Sequence, residues 1–221
     1  MGSTTVAPPL RGMARRTSLG IAALALALFL GACAAVPQAI HREVVLVAVE
    51  RSGEADGEVS DISVVETPDG KSYEFSDGML GFRVGYHQNF VNLHLDNPTT
   101  EPLYVLWDES ALIDTERFAH DVTILKGLPV SGARGDRRTL VPPGAKREMR
   151  LAPEGSATPL GFTRPLIPID RHGRASALQQ AEELLGATVD LRLQLQHQDM
   201  GRTYTLTGEL QRVNVGGTWV E

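Results

Sequence analysis

Hydrophobic and polar positions alternate most plainly late in the chain. Leu191, Leu193 and Leu195 alternate with Arg192, Gln194 and Gln196, and beyond Asp199-Met200-Gly201 Tyr204 and Leu206 sit between Thr203, Thr205 and Thr207. A period of two puts one set of side chains on a core and the other in water, so these runs predict an antiparallel hairpin. Gly208, in the second arm, predicts a bulge. The same period recurs earlier, where Val91, Leu93 and Leu95 alternate with Asn92, His94 and Asp96, a half-buried strand. Asn97-Pro98-Thr99-Thr100 breaks it, and residues 103–107 follow as a central strand with apolar residues on both sides. Pro68-Asp69-Gly70 joins two further runs, 62–67 and 71–76, as a hairpin turn, Pro presetting φ and Gly supplying a positive φ.

The remaining elements are read with the same rules. Residues 43–50 are a Val-rich run that predicts a strand buried on both faces, and the acidic, Gly-bearing stretch 51–58 predicts a loop. Residues 79–86, 122–125 and 146–151 predict strands, the last entered through Pro142-Pro143-Gly144. A Gly- and Arg-rich surface loop is expected over 127–138, and an irregular crossing connection over 152–174. Ser176, with Gln179 three residues on, predicts the capping box of a short helix that ends at Gly186 and buries Leu178, Ala181 and Leu185. Roughly nine short strands and one helix predict an antiparallel β-sandwich.

The start of the chain follows a different rule. Arg15 and Arg16 precede an apolar stretch, 19–30, and the small residues Gly31 and Ala32, the three-part pattern of an export signal. The stretch is shorter than the roughly 20 residues a membrane-crossing helix needs. Leu30-Gly31-Ala32-Cys33 resembles the bacterial lipobox. That resemblance implies cleavage between Ala32 and Cys33 and a covalent lipid on the Cys33 sulfur, the membrane then being a partner through the anchor. Acyl chains held together bind a bilayer far more firmly than one chain does. Residues 33–41 are then the lipidated N-terminus and tether, and 42–221 a single domain. Ala34 and Ala35 stand where an Asp would resemble an inner-membrane retention signal, which favours the outer membrane, facing the periplasm.

Composition bounds the function. The chain has 221 residues, 42% of them hydrophobic and 22% charged, a globular balance. Of 21 basic residues three precede Ala32, leaving 18 against 27 acids, a net charge of −9 for the mature chain. Phosphate backbones repel such a surface, so nucleic acid is not an expected partner. With Cys33 consumed by lipid there is no second cysteine for a disulfide or a thiolate site.

Residues 90–114, from Phe90 through Asn97-Pro98-Thr99 and Trp107 to Asp114, resemble a stretch of an uncharacterised family of bacterial lipoproteins that carry an immunoglobulin-like β-sandwich. The resemblance implies an architecture and brings no catalytic residues. The histidines His41, His87, His94, His120, His172 and His197 have no zinc-site spacing, and no nucleophile-elbow motif is present. Arg134-Gly135-Asp136, the tripeptide of integrin ligands, falls in the expected surface loop. Asp108, Glu109, Asp114 and Glu116 form an acidic cluster, a candidate ion or partner loop, although its spacing matches no calcium loop. The simpler expectation is that the strand ends at Trp107 and Asp108 caps the turn that follows. The leading reading is a lipid-anchored envelope module that binds or assembles with another envelope protein and holds no metal or cofactor. An envelope enzyme with a loop-built site, and a surface adhesin, are the alternatives.

Overall fold

The computed structural model describes residues 40–52, 59–68, 70–125, 138–158, 161–162, 165–169 and 173–221. The signal stretch with Ala32 and Cys33, the Arg134-Gly135-Asp136 loop and His172 lie outside them. In chain order the strands are β1 (Ile40–Ser52), β2 (Ser63–Thr67), β3 (Gly70–Ser76), β4 (Gly81–Tyr86), β5 (Val91–Asn97), β6 (Leu103–Ile113), β7 (Ala119–Ile124), β8 (Arg138–Val141), β9 (Ala145–Pro153), β10 (Ala157–Thr158) and β11 (Gly161–Phe162). Helix α1 (Arg174–Leu184) follows, then β12 (Thr188–His197), β13 (Met200–Val215) and β14 (Thr218–Val220). The fold is mainly β and antiparallel, as the periodicity predicts. Hydrogen bonds run without a break along β1-β13-β12-β6-β7-β9-β5-β4-β3-β2, with β8 and β14 added beside β6 and β13. Strand β7 is the joint, pairing β6 through Ala119–Asp121 and β9 through Val122–Ile124.

The sheet curls until its two ends meet across the core. The Tyr73 hydroxyl on β3 donates to the Val44 carbonyl on β1 at 3.1 Å, and the Tyr86 hydroxyl on β4 to the Leu206 carbonyl on β13 at 2.7 Å. Phe82 stacks on Phe75 and tilts against Tyr204, both at 4.8 Å between centroids. Leu93, Leu95, Leu103, Val105, Leu191, Leu193 and Leu206 fill the space between, each fully buried. Gly208 faces this layer because nothing larger fits: a Cβ there would lie 2.8 Å from Val44 Cγ1 and 2.9 Å from the Tyr86 ring.

Bulges set which side chains reach the core, and they explain where the sequence misleads. In β13 Tyr204, Leu206 and Leu210 point inward at even numbers, but past the unpaired Gln211 the inward residues are Val213 and Val215. In β1 Val47 is the extra residue, so Val44 and Leu46 are buried before it while Val47 itself is 43% exposed. The Val-rich run is therefore an edge strand whose phase switches, and the expectation of burial on both faces is corrected. Strand β6 does not end at Trp107 either. Arg192 pairs with Ala111 but Gln194 with Leu106, so Trp107–Ser110 loops out opposite one residue of β12 and the strand resumes to Ile113. Ser110 closes this bulge, its hydroxyl donating to the Leu106 carbonyl at 2.7 Å and accepting the Gln194 N–H at 3.0 Å. Leu103, Val105 and Trp107 do share a buried face, and the indole N–H donates to Thr139 Oγ1 at 2.8 Å.

Two local expectations shift. Helix α1 is capped by Gly173, in extended backbone with no side-chain cap, and Ser176 lies inside it, its hydroxyl accepting from Gln180 Nε2 at 3.2 Å. Ala177 and Ala181 form its buried stripe, Leu178 and Leu184 packing at the margin, and Gly186 follows it at φ +78°. The final hairpin turns at Gln198-Asp199, with His197 opposite Met200, one residue earlier than the sequence suggests, because Gln198 takes the left-handed φ of 54° and Gly201 stays in the ladder.

A buried carboxylate sits where the ends of the sheet meet. Asp77, 2% exposed, accepts the N–H groups of Met79 and Leu80 on Oδ1, at 2.9 and 2.7 Å. Its Oδ2 accepts from the Tyr204 hydroxyl at 2.5 Å, Arg202 at 3.3 Å and Arg51 at 3.5 Å. Burial pushes its pKa up, but the Tyr204 and backbone hydrogen bonds and the Arg202 charge outweigh this and hold it below 3.8. Burial, then Glu43 and Glu66, pushes the Tyr73 phenol up to about 12.

Asp77→Ala leaves Arg202 buried without its counter-charge, and is expected to cost about 3–5 kcal/mol in urea unfolding, against about 1.5–3 kcal/mol for Tyr204→Phe, which removes one hydrogen bond to a charged group. Equal losses would show that the charge is not what matters. The pH profile follows from the signs. The lowered Asp77 pKa gives stability that is present above 3.8 and lost as pH falls through the native value. The raised Tyr73 pKa gives stability that is complete below 10 and lost as pH rises towards about 12. Urea midpoints measured up to pH 12 should fall over that upper interval, and fall less in Tyr73→Phe.

Candidate functional site

The outer face of β3, β4, β5 and β9 carries a groove. Strand pairing lines up Glu74, Arg83, His94 and Glu148 in one row and Ser76, Gly81, Asp96 and Lys146 in the next. Directly opposed residues share a face, so the two rows form a polar ladder that carries both signs of charge. Arg83 Nε donates to Glu74 Oε1 at 2.5 Å, Lys146 Nζ lies 2.8 Å from Asp96 Oδ2, and His94 Nε2 lies 3.7 Å from Glu148 Oε1. Ser60 and Asp61 wall one side, latched by the Ser60 N–H to the Ser76 carbonyl and the Ser76 N–H to Ser60 Oγ, each 2.7 Å. The groove is open to solvent and has a volume of about 440 Å³. Gly81 keeps it open, since a Cβ there would press on Asp96 Cβ at 3.1 Å.

Ion pairs this exposed contribute little, about 0–1 kcal/mol each, so a ligand's charges can replace them at small cost. The ladder suits a polar ligand or peptide segment bearing both signs of charge. His94 and Asp96 were legible as the polar side of their strand. Their partners Glu74, Arg83 and Lys146 were not, because pairing between strands that are distant in sequence leaves no local pattern.

The acidic cluster divides. Asp108 and Glu109 are exposed on the β6 bulge, while Asp114 and Glu116 lie in the turn to β7. No three His, Cys, Asp or Glu side chains among the described residues are placed to hold a metal ion. Asp108 sits where β6 loops out of the ladder, and Asp114, at the end of that strand, caps the turn to β7. Asp114 Oδ1 accepts the N–H groups of Glu116 and Phe118 at 3.0 and 2.9 Å, and Oδ2 lies 2.7 Å from His120 Nε2. The turn holds Arg117 at φ 68° and directs its guanidinium to Asp190 Oδ2, 2.8 Å away.

The Asn97-Pro98-Thr99 break is likewise a structural lock. Asn97 Nδ2 donates to the carbonyls of Glu101 and Val141 at 2.8 and 3.0 Å, and its Oδ1 accepts from Thr99 Oγ1 at 2.7 Å. The Thr99 hydroxyl also lies 3.0 Å from the Glu101 carbonyl, and the ring of buried His197 packs at its edge, with Nε2 3.2 Å from Thr99 Oγ1.

Comparison of the chain with protein-family models, curated proteins and solved structures gives no match.

Asp114→Ala should lower stability by about 0.5–2 kcal/mol, as loss of a cap does, and more than Asp108→Ala. Paired urea titrations at pH 7 decide this, and the reverse order would return the capping role to Asp108.

Proposed function

We propose that the chain is the precursor of a bacterial lipoprotein, cut after Ala32 and acylated on Cys33, whose domain is an envelope binding or assembly module. The observation that carries this reading is Leu30-Gly31-Ala32-Cys33 directly behind an arginine-led apolar stretch. Strand β1 begins at Ile40, a few residues beyond Cys33 in the sequence, which agrees with a short tether. Ala34 and Ala35 favour the outer membrane, on the periplasmic side. Within the same reading the domain is an immunoglobulin-like sandwich whose two layers stay joined through β7. The support is the face-to-face packing of β3 and β4 against β1 and β13 through Tyr73 and Tyr86. The binding surface is the charged ladder around Arg83 and His94, and its partner is another envelope protein.

Cys33→Ala should accumulate as an uncut, unacylated precursor by intact-mass analysis. Processing of the variant at the Ala32–Cys33 bond would end the lipoprotein reading.

A further inference from the structure

The start of β1 lies at one end of the domain, and three features gather with it. Val215 pairs with both Ile40 and Thr218, so the first residue of β1 and the Gly216-Gly217 turn of the β13–β14 hairpin share that end. Asn214 pairs with His41 on one side and Trp219 on the other, which makes His41, Asn214 and Trp219 one outward row. Trp219 is 46% exposed, in contrast to Trp107 at 6%. Its ring lies on the Arg212 guanidinium, 4.7 Å from centroid to Cζ, and Arg212 is itself held by Glu43 and Glu221. Arg174 joins the same end by donating to Thr218 Oγ1 at 2.5 Å, and Lys71 pairs with Glu43.

An exposed indole fixed on a cation is an unusual thing to leave in water. Tryptophan is most at home where its apolar body and its N–H donor are both served, and the headgroup layer of a bilayer does both. Arg212 and Lys71 are paired with Glu43 and Glu221, exposed ion pairs that headgroup phosphates can replace at small cost, and Arg174 adds a third cation, in a mature chain whose acids outnumber its bases by 27 to 18. The chain geometry supplies the occupant. Seven residue steps separate Cys33 from Ile40, and at about 3.3–3.6 Å per residue they reach at most about 25 Å. Trp219 is two strands over from His41, about 10 Å at the usual strand spacing. An anchor at Cys33 therefore bounds the distance of Trp219 from the bilayer at about 35 Å, and the same reach allows it to touch the headgroups.

We infer that this end, with Trp219 on Arg212 as its centre, is a membrane-contact surface that seats the domain on the phospholipid headgroups of the bilayer holding its anchor. The inference rests on the lipoprotein reading. Docking would fix the orientation of the domain relative to the bilayer.

The test uses the mature, processed chain in vesicles of phosphatidylethanolamine and phosphatidylglycerol, prepared with and without brominated acyl chains. The chain has two tryptophans, so subtracting the emission of Trp219→Phe from that of the native chain isolates Trp219. Intact mass and flotation report the anchor separately. The expected result is an acylated, floating protein whose Trp219 emission shifts to the blue and is lost in brominated vesicles, while the Trp107 emission left in Trp219→Phe is not. Acylated, floating protein with unquenched Trp219 overturns the contact surface and leaves the anchor standing. A blue shift that grows with protein density and ignores bromine assigns the row to a second copy of the chain, and overturns it too. Cys33 without acyl mass removes the tether and overturns both readings.

Discussion

Five donors converge on the Asp77 carboxylate, and they come from both ends of the sheet: the backbone after β3, Arg51 of β1, and Arg202 and Tyr204 of β13. An antiparallel sheet twists but does not by that alone close on itself. Here closure requires that β1 and β13 lie over β3 and β4, and the charge at Asp77 is buried only if they do. The converse also holds, because Arg202 is 4% exposed and needs its counter-ion. The neighbouring tyrosine hydroxyls on Val44 and Leu206 extend the same closure along the seam. Apolar burial drives the collapse, and the polar seam selects which strands face one another.

The groove depends on that closure indirectly. With their inner faces committed to the core, β3, β4, β5 and β9 are free to carry charge on the outside, and pairing register turns scattered residues into the ladder of Glu74, Arg83, His94 and Glu148. The cations around Trp219 belong to another end of the same sheet. One continuous sheet thus offers two surfaces of different chemistry, mixed charge in the first and an aromatic ring on a cation in the second.

Strands with a plain period of two were legible from the sequence, as at Leu191, Leu193 and Leu195 or Val91, Leu93 and Leu95. Their pattern is local and one face is buried. What was illegible depends on a partner strand. The switch of phase at Val47 looks like a uniformly apolar run until β13 is set beside it, and Asp108-Glu109 looks like a turn until Ser110 is seen bonding to Gln194. Strands β8 and β14, of four and three residues, are too short to show a period. Ser176 offered capping chemistry, but Gly173 lets the helix begin earlier. Of the candidate site, only the polar side of β5 could be read in advance, since its partners lie in other parts of the chain.

The long pairing of β1 with β13 also has a mechanical meaning. A pull on the chain at Ile40 loads the Ile40–Val215 pair first, at the very end of the ladder. Such a load peels β1 away one pair after another instead of shearing all its hydrogen bonds together. Peeling would meet the Glu43 ion pairs, then the Tyr73 hydroxyl on Val44, and last the Arg51–Asp77 bridge near the far end of the strand. The resistance is thus graded along β1, yielding at first and stiffening towards Asp77, so that a pull applied ahead of Ile40 would be absorbed before it reached the core.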